Sequence, residues 1–284
     1  MGHKYACSLA VIFAAATVAG AFSVDPPSPK GGEAALFSFK PSPFLSYEIT
    51  HDSKTYKPYP AVGGKREIFL PIAIEASGET SILVAKKLLG IKIAASKVPF
   101  IITARQIPVI RLSPTSERMR DSKPALSDER ARLLKSLGIR SPAKFAQGPF
   151  LSPLDGRQGE DFGVKREGAR YSYYHKGVDI STRAGVPVAA ANAGAVALAS
   201  ENLNVTGKTV VIDHGQGLVS CYYHLDKILV SEGEKVAKGQ NIGLVGSTGW
   251  STGPHLHFGA YLQGEAIDPL WLIEFTSSTY LKPR

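Results

Sequence analysis

Cysteine is scarce in this chain, with two among 284 residues, Cys7 and Cys221. This scarcity excludes a small scaffold stapled by disulfides. The 28 glycines follow no Gly-X-Y repeat, which excludes a collagen, and a hydrophobic content of 44% excludes a wholly disordered chain. The length accommodates two folded domains.

Long apolar runs are also scarce, and the only one covers residues 6–21. It follows Lys4 and ends in the small residues Ala19-Gly20-Ala21, the pattern of a secretory signal peptide over residues 1–21 that is cleaved after Ala21. The alternative is a membrane anchor, but 16 residues fall short of the roughly 20 that span a bilayer. We therefore expect an exported protein, periplasmic or extracellular, without a transmembrane anchor. The cleaved chain would keep Cys221 alone and form no internal disulfide.

Acidic residues are under-represented in the first half of the chain. Residues 1–147 hold 21 Lys+Arg and 11 Asp+Glu, whereas residues 148–284 hold 12 and 13. The second half therefore lacks the net positive charge of a nucleic-acid-binding surface, and we expect no nucleic-acid partner. The excess is concentrated in residues 86–144, with 14 basic and 4 acidic side chains. This segment is either a solvated basic linker or a binding patch for an anionic partner.

The pattern of short runs predicts a mainly β protein. Residues 22–33 are rich in Pro and Gly and are interpreted as a spacer. Runs of β-branched and aromatic residues then predict an Ig-like β-sandwich over residues 34–112, with strands at 34–39, 44–50, 67–74, 80–85, 90–94 and 100–104. His51, in this module, matches no motif and is expected on the surface.

A helical connector follows. Residues 113–147 are predicted to be a basic linker containing a helix at 127–137, because a Ser and two acids open that segment and Gly138 follows it. Residues 148–275 then show glycine-punctuated runs that predict an antiparallel β domain, with strands at 186–190, 195–199, 208–213, 218–224, 242–246 and 255–262. Residues 276–284 are interpreted as a C-terminal tail.

Histidines in the second domain form patterns of interest. Strand side chains alternate with period two, so His255 and His257 share one face. The same parity places His175 and Asp179 together if residues 175–180 are extended, which Val178 and Ile180 favour. Two imidazoles and one carboxylate, with a fourth position left to water, are the ligand set of a catalytic zinc site.

Other candidate groups in this domain have different interpretations. Cys221 lies three residues before His224, hence on the opposite face of a regular strand, and is interpreted as a small buried apolar residue. His224 and His255 are candidates for accepting a proton from water and for stabilising an oxyanion. His214, beside a turn glycine, is given no ligand role.

The second half resembles the lysostaphin/LytM-type zinc endopeptidases of bacterial peptidoglycan, from about Gly148 to Ile273. The matching segments are His175-Lys176-Gly177-Val178-Asp179-Ile180, Gly185-Val186-Pro187-Val188, Ala193-Gly194-Ala195-Val196, Val211-Ile212-Asp213-His214-Gly215-Gln216-Gly217, Tyr222-Tyr223-His224-Leu225, Val236-Ala237-Lys238-Gly239-Gln240-Asn241-Ile242-Gly243, Gly246-Ser247-Thr248-Gly249 and Thr252-Gly253-Pro254-His255-Leu256-His257-Phe258.

This resemblance implies an antiparallel β LytM-type peptidase domain with a zinc ion at the floor of a groove. It implies one Zn²⁺ held by His175, Asp179 and His257, with His224 and His255 as catalytic histidines, and peptidoglycan stem or bridge peptides as substrates. The module before Gly148 more loosely resembles the β-sandwich modules that precede exported members. Residues 159–163 are more acidic than is usual in the family.

Two alternatives stay open. The domain could be an inactive LytM-like regulator or wall-binding protein, although every expected ligand position is filled. The basic first half could instead be a polyanion-binding module that carries the main function. The resemblance also implies that the helix at 127–137 packs near the groove and limits access to it.

Overall fold

The computed structural model describes residues 22–113, 127–169 and 171–281. The predicted signal peptide at 1–21 and residues 114–126 of the predicted linker lie outside this range. Strands account for 50% of the described residues and helices for 10%, which confirms the mainly β class. Among the described residues, neither helix has the length and apolar character needed to cross a membrane.

The first module is a sandwich of two antiparallel four-stranded sheets, in the orders β1-β2-β6-β5 and β4-β3-β7-β8. A core of side chains from both sheets lies between them, including Phe37 and Leu70 from one sheet and Ile49 and Ile82 from the other. The strands up to the connector are β1 Phe22–Asp25, β2 Ala34–Phe39, β3 Leu45–His51, β4 Lys54–Tyr56, β5 Tyr59–Pro60, β6 Arg66–Pro71, β7 Gly78–Leu88, β8 Ile91–Ile102 and β9 Val109–Arg111.

Two sequence predictions for this module need correction. Residues 22–33 are not a spacer throughout, because β1 pairs with β2 along its whole length and Phe22 stacks on Phe37. The runs at 90–94 and 100–104 belong to one strand, β8, which pairs with β7 from Gly78 to Leu88. The segment between the two runs contains Ser96, Lys97 and Pro99 and resembles a break in the sequence, but backbone pairing with β7 holds it in the sheet.

The connector contributes one helix, α1 Ser127–Leu137, at the predicted residues. The end of the first module takes part in a sheet of the second domain, because β9 pairs in parallel with β11 Lys165–Glu167. The two halves of the chain therefore share a sheet.

The second domain is built on a ten-stranded sheet whose main path is β10-β13-β20-β17-β16-β15-β18. β14 and β19 pair with each other and β19 with β17, while β21 extends β20; a three-stranded sheet, β12-β11-β9, lies alongside. The remaining elements are β10 Arg157–Gln158, β12 Ser172–Tyr174, β13 Val178–Ser181, β14 Pro187–Ala189, β15 Gly194–Leu203, β16 Gly207–Gly215, β17 Leu218–Ile228, β18 Lys235–Val236, β19 Asn241–Val245, β20 His255–Leu262, β21 Glu265–Ile267 and α2 Pro269–Leu281.

Helix α2 corrects the predicted tail at 276–284, because it continues to Leu281. It begins after Asp268, whose Oδ1 accepts a hydrogen bond from the Leu270 amide at 3.0 Å, a side-chain cap that fixes its first turn. Phe275 of α2 packs edge-on against Phe69 of the first module, so the helix joins both halves of the molecule.

Candidate metal centre and active site

Three neighbouring strands at the centre of the large sheet carry the candidate side chains. β20 lies between β13 and β17, and its residue His257 is directly opposite Asp179 on one side and Tyr223 on the other. His255 is two residues earlier on β20, so it shares the face of His257, as the alternation predicts. The sheet thus brings Asp179, Tyr223 and His257, from distant parts of the sequence, to one face.

His175 reaches the same place by a different route from the predicted one. β13 begins at Val178, so residues 175–180 do not form one strand. The His175 backbone instead pairs with the preceding segment, its amide donating to the Val164 carbonyl at 2.8 Å and its carbonyl accepting from Gly163 at 2.8 Å. This local pairing holds the residue outside β13 yet beside Asp179.

Three ligand-type atoms converge. His175 Nε2 lies 3.1 Å from Asp179 Oδ1 and 3.0 Å from His257 Nδ1, and His257 Nδ1 lies 3.0 Å from Asp179 Oδ1. In the described part of the chain this is the one cluster of at least three His, Cys, Asp or Glu residues with metal-binding spacing. His175 and His257 are buried.

The protonation pattern of this cluster fits a cation. His175 Nδ1 lies 2.9 Å from the Asp161 carbonyl, which can only accept, so this nitrogen carries the proton. In neutral His175 the Nε2 lone pair then faces the carboxylate oxygen of Asp179, and two acceptors at 3.1 Å require a shared cation or proton between them. A ligating imidazole typically donates its other N–H to a carbonyl in this way.

The charge states of the cluster are those of metal ligands. Burial alone would raise the pKa of the Asp179 carboxyl, but hydrogen bonding to His175 and His257 outweighs it and holds the pKa well below its usual range. Burial lowers the pKa of His257 to about 4, so this imidazole is neutral at pH 7. Metal binding requires an ionised carboxylate and neutral imidazoles.

His224 joins the site through an irregularity of β17. Its φ of 65° is left-handed, and the pairing of β17 with β16 shifts register there. Such a bulge adds one residue to the strand, so Tyr223 and His224 both face the site. The prediction that Cys221 lies on the opposite face from His224 is therefore wrong, although Cys221 is a buried free cysteine as predicted.

His224 and His255 are oriented alike. His224 Nδ1 donates to the Thr248 carbonyl at 2.8 Å, and His255 Nδ1 donates to the Gly253 carbonyl at 2.8 Å. Each neutral ring therefore presents an unprotonated Nε2, and their centroids lie 4.8 Å apart. Burial, followed by the nearby imidazoles of His257 and His255, lowers the pKa of His224 to about 3. Both rings are thus oriented to accept a proton.

Arg166 is a site residue that the sequence patterns did not identify. Its Nη2 lies 3.3 Å from Asp179 Oδ2, and its Nε donates to Glu160 Oε1 at 2.7 Å. Arg166 thereby holds the carboxylate oxygen that faces away from the histidines. The unusual acidity of residues 159–163 was the available signal, since Glu160 is the partner that orients this arginine.

A groove of about 770 Å³ opens over the cluster. One part of its wall is the second domain, including Tyr173 and Trp250, and another part combines Leu133 of α1 in the connector with Ile110 of β9 at the end of the first module. Helix α1 therefore lies beside the groove, as predicted.

Two other histidines lie outside the cluster. His51 is buried and packs on Phe100 with ring centroids 5.4 Å apart, so the expected surface position is wrong. It ends β3, where the sandwich core encloses it. His214 is fully buried, and its Nδ1 donates to the Ala193 carbonyl at 2.8 Å, in agreement with its having no ligand role.

An antiparallel β domain with a His-Asp-His cluster at the floor of a groove defines a candidate metal-dependent hydrolase. Residues 173–269 match peptidase family M23. The chain accordingly contains an M23 domain of the LytM/lysostaphin type.

Relatives of known name share this domain. The peptidoglycan DD-endopeptidase ShyA of Vibrio cholerae is 42% identical over 96 residues, which are 34% of this chain and 22% of ShyA. The murein hydrolase activator NlpD of Salmonella dublin is 36% identical over 118 residues, 42% of this chain and 29% of NlpD. Matches of this kind cover 20% to 35% of the length of the curated relatives.

One solved structure is similar over both halves of the chain. A putative peptidase M23 from Pseudomonas aeruginosa superposes with a TM-score of 0.65 at 25% identity, over 88% of this chain and 96% of that one. The arrangement of sandwich, connector and peptidase domain therefore recurs in another protein.

Proposed function

We propose that the protein is a zinc-dependent endopeptidase that hydrolyses peptide cross-links of bacterial peptidoglycan. The observation that carries the proposal is the convergence of His175 Nε2, Asp179 Oδ1 and His257 Nδ1 within 3.1 Å of one another, beside two further imidazoles. The similarity to ShyA, which is named as a peptidoglycan endopeptidase, supports the substrate class.

His175, Asp179 and His257 would hold one zinc ion. A bound zinc ion supplies Lewis acidity toward a carbonyl oxygen and lowers the pKa of water to near 7. Three protein ligands leave a coordination position for solvent or substrate, which distinguishes a catalytic from a structural site. Arg166 would orient the Asp179 carboxylate through its contact with Oδ2.

His224 and His255 would carry the proton chemistry. Their Nδ1 protons are committed to backbone carbonyls, so each Nε2 accepts a proton from the attacking water or, once protonated, donates to the oxyanion and the leaving amine. The groove would bind the peptide across this pair. The part of the groove wall that α1 supplies would help to position the bound peptide, and substrate positioning is a large part of catalysis.

Alanine variants distinguish the proposed zinc ligands from the histidines proposed to transfer protons. We expect His175→Ala and Asp179→Ala to lose both zinc and activity, because each removes a ligand. We expect His224→Ala and His255→Ala to keep the zinc and to lose about 10²–10⁴-fold in turnover, the usual contribution of general acid–base groups. Zinc content and muropeptide release from purified sacculi are measured on each variant.

Chelation provides the control for metal dependence. Cleavage should stop on treatment with a chelator and return on addition of zinc. Full activity in the His255 variant, or zinc retained in the Asp179 variant, would refute the assignment.

A second candidate function is activation of another wall hydrolase without catalysis, and the similarity to NlpD favours it. The two functions differ in what the purified protein does alone. An endopeptidase releases muropeptides from sacculi, whereas an activator does so only when a second hydrolase is present and is indifferent to His255→Ala.

We also propose export to the periplasm or the cell wall, directed by residues 1–21. N-terminal sequencing of protein recovered from cell fractions tests this, with cleavage after Ala21 expected. The basic residues 86–144 would contribute an anionic wall contact, and retention on sacculi that falls as salt rises is the expected result. Retention unaffected by salt would contradict that role.

A further inference from the structure

The β-sandwich module ends in an exposed apolar tip. The tip consists of residues 88–93, which are the adjoining ends of β7 and β8 with the turn between them, together with Phe44, which precedes β3. Its exposed apolar members are Phe44, Leu88, Leu89, Ile91 and Ile93. Phe44 and Leu89 are 93% and 94% exposed, the highest values among the large apolar residues described. They lie side by side at one end of the sheet, because Leu45 pairs with Leu88.

The backbone at these two residues makes their identity more unusual. Phe44 has φ of 64° and Leu89 has φ of 49°, the left-handed region that Gly, Asn and Asp occupy at least cost. Leu89 and Gly90 form the two-residue turn of a hairpin, where Asn-Gly is the favoured pair. Neither folding nor solubility accounts for large apolar side chains at both positions.

The tip continues as an apolar row across three strands. Leu45 of β3 pairs with Leu88 of β7, which pairs with Ile91 of β8. Antiparallel partners project to the same face, so these side chains extend the apolar surface inward from Phe44 and Leu89. The first five residues of β8 are exposed, so this end of the hairpin lies outside the sandwich core.

Positive charge surrounds this apolar surface. Residues 86–93 contain three lysines and no acidic residue. Lys87 and Lys92 are direct cross-strand partners, a like-charge pairing that is unfavourable for a sheet by itself. Glu48 Oε2 lies 2.7 Å from Lys87 Nζ and is the acid at this end. The tip combines an apolar apex with a basic rim.

We propose that this tip is a membrane-docking site that inserts Phe44 and Leu89 into the interfacial region of an anionic lipid bilayer. The apolar apex matches the acyl boundary, and Lys86 and Lys92 match anionic headgroups. A convex apex of a few side chains fits a deformable lipid surface, whereas a protein partner would need a complementary cavity. The basic rim selects anionic lipid over a second copy of this chain, whose tip carries the same charge.

Vesicle binding by the full chain tests the proposal. Flotation is measured with phosphatidylglycerol–phosphatidylethanolamine vesicles and with phosphatidylcholine vesicles. Leu89→Asn should lower binding to the anionic vesicles on the order of tenfold, because it removes one inserted leucine. This substitution suits the left-handed turn, so the fold should be at least as stable, as thermal unfolding would show. Lys86→Gln should lower binding about fivefold, and more at low salt than at high salt.

Val62→Asn is the matched control, since Val62 is 78% exposed on another turn of the same module. It should leave vesicle binding unchanged. All variants share the same N-terminus, so differences between them report the tip alone. The proposal is overturned if the wild-type chain binds both vesicle types equally, if Leu89→Asn binds like the wild type, or if Val62→Asn is equally impaired.

Two other occupants have distinct outcomes. Self-association in sedimentation velocity that Leu89→Asn abolishes, without wild-type vesicle binding, would assign the tip to a second copy and overturn the lipid proposal. Retention on purified sacculi that needs Lys86 but not Leu89, without vesicle binding, would assign it to the wall and overturn it likewise.

Discussion

Gly177 shows how closely the backbone approaches the metal centre. A Cβ atom at this position would lie 2.6 Å from His257 Nε2 and 2.6 Å from the Phe258 carbonyl oxygen. We therefore expect Gly177→Ala to displace the His257 ring and to weaken zinc binding by about 10–100-fold, the usual effect of disturbing a ligand's support. Zinc titration against a competing chelator measures this.

Gly253 provides the control in the same site. Its Cβ would meet nothing within 4 Å, so Gly253→Ala should retain the zinc affinity of the wild type. Equal affinity in the two alanine variants would show that the close approach at Gly177 has no bearing on the metal.

His214 predicts a pH dependence of stability that is independent of the metal. Burial lowers its pKa to about 4 from an ordinary value near 6.5. Because the unfolded chain binds this proton more readily than the fold, stability is full above pH 6.5 and falls as the pH drops toward 4. The loss from this group is about 3 kcal/mol.

The measurement is urea unfolding of the wild type and of His214→Gln at pH 7.5 and pH 4.5. The variant should lose less stability between the two values, by up to that amount, because its side chain does not titrate. Parallel losses in both proteins would contradict the assignment to His214.

At the scale of residues, the sequence predicted what strand periodicity controls. His255 and His257 share a face because alternation is a local property of an extended chain, whereas Asp179 joins them through the pairing of β13 with β20. The position of His224 depends on a bulge and a left-handed φ, and its face relative to Cys221 was therefore predicted wrongly. Arg166 was missed because its contact with Asp179 arises only when separate strands come together.

Helix α1 packs on the outer face of the large sheet beside the site. Leu137 is buried there in a small core with Tyr223 and Tyr261, and Tyr223 stacks on the His257 ring at 5.0 Å. Leu137→Ala should lower the free energy of unfolding by about 2–4 kcal/mol, through lost burial and a cavity.

Leu134 is the matched control for the helix, because it is 56% exposed on α1. Leu134→Ala should change the free energy of unfolding by less than about 0.5 kcal/mol. Urea unfolding followed by tryptophan fluorescence measures both variants. If both cost the same, the helix is not anchored through Leu137.

At the scale of elements, α1 was predictable because acids in its first turn and Gly138 beyond its end mark its limits locally. Strand β9 was not predicted to belong to the second domain, since its three residues pair with β11 more than fifty positions later. Helix α2 was taken in part for a tail because Ser and Thr residues fill its last turns, where their hydroxyls bond to preceding carbonyls, as Ser277 does to Ile273 at 2.7 Å.

At the scale of the whole molecule, Arg105 connects the two halves. Its Nη2 lies 2.6 Å from Asp268 Oδ2, its Nε donates to the Gly31 carbonyl at 2.7 Å, and its guanidinium lies over the Phe162 ring at 5.3 Å. Arg105→Met should lower the free energy of unfolding by roughly 2–4 kcal/mol, somewhat less than for a fully buried pair because both side chains keep some exposure.

Arg132→Met provides the comparison, since Arg132 Nη2 lies 3.9 Å from Glu232 Oε2 and both side chains are more than half exposed. That change should have an effect within about 0.5 kcal/mol. Differential scanning calorimetry checks both variants, and we expect the Arg105 variant alone to split into two transitions. A single unshifted transition would mean that the halves are held by other contacts.

The parallel pairing of β9 with β11 also limits how the second domain of this chain can be transferred to another protein. A fusion of residues 148–281 to a different N-terminal module would lack the part of the groove wall that β9 and α1 supply. It would also leave the edge of β11 unpaired, where strands of other chains could add and cause aggregation. A chimera that keeps both the groove and the β9–β11 pairing would therefore have to include residues 109–147.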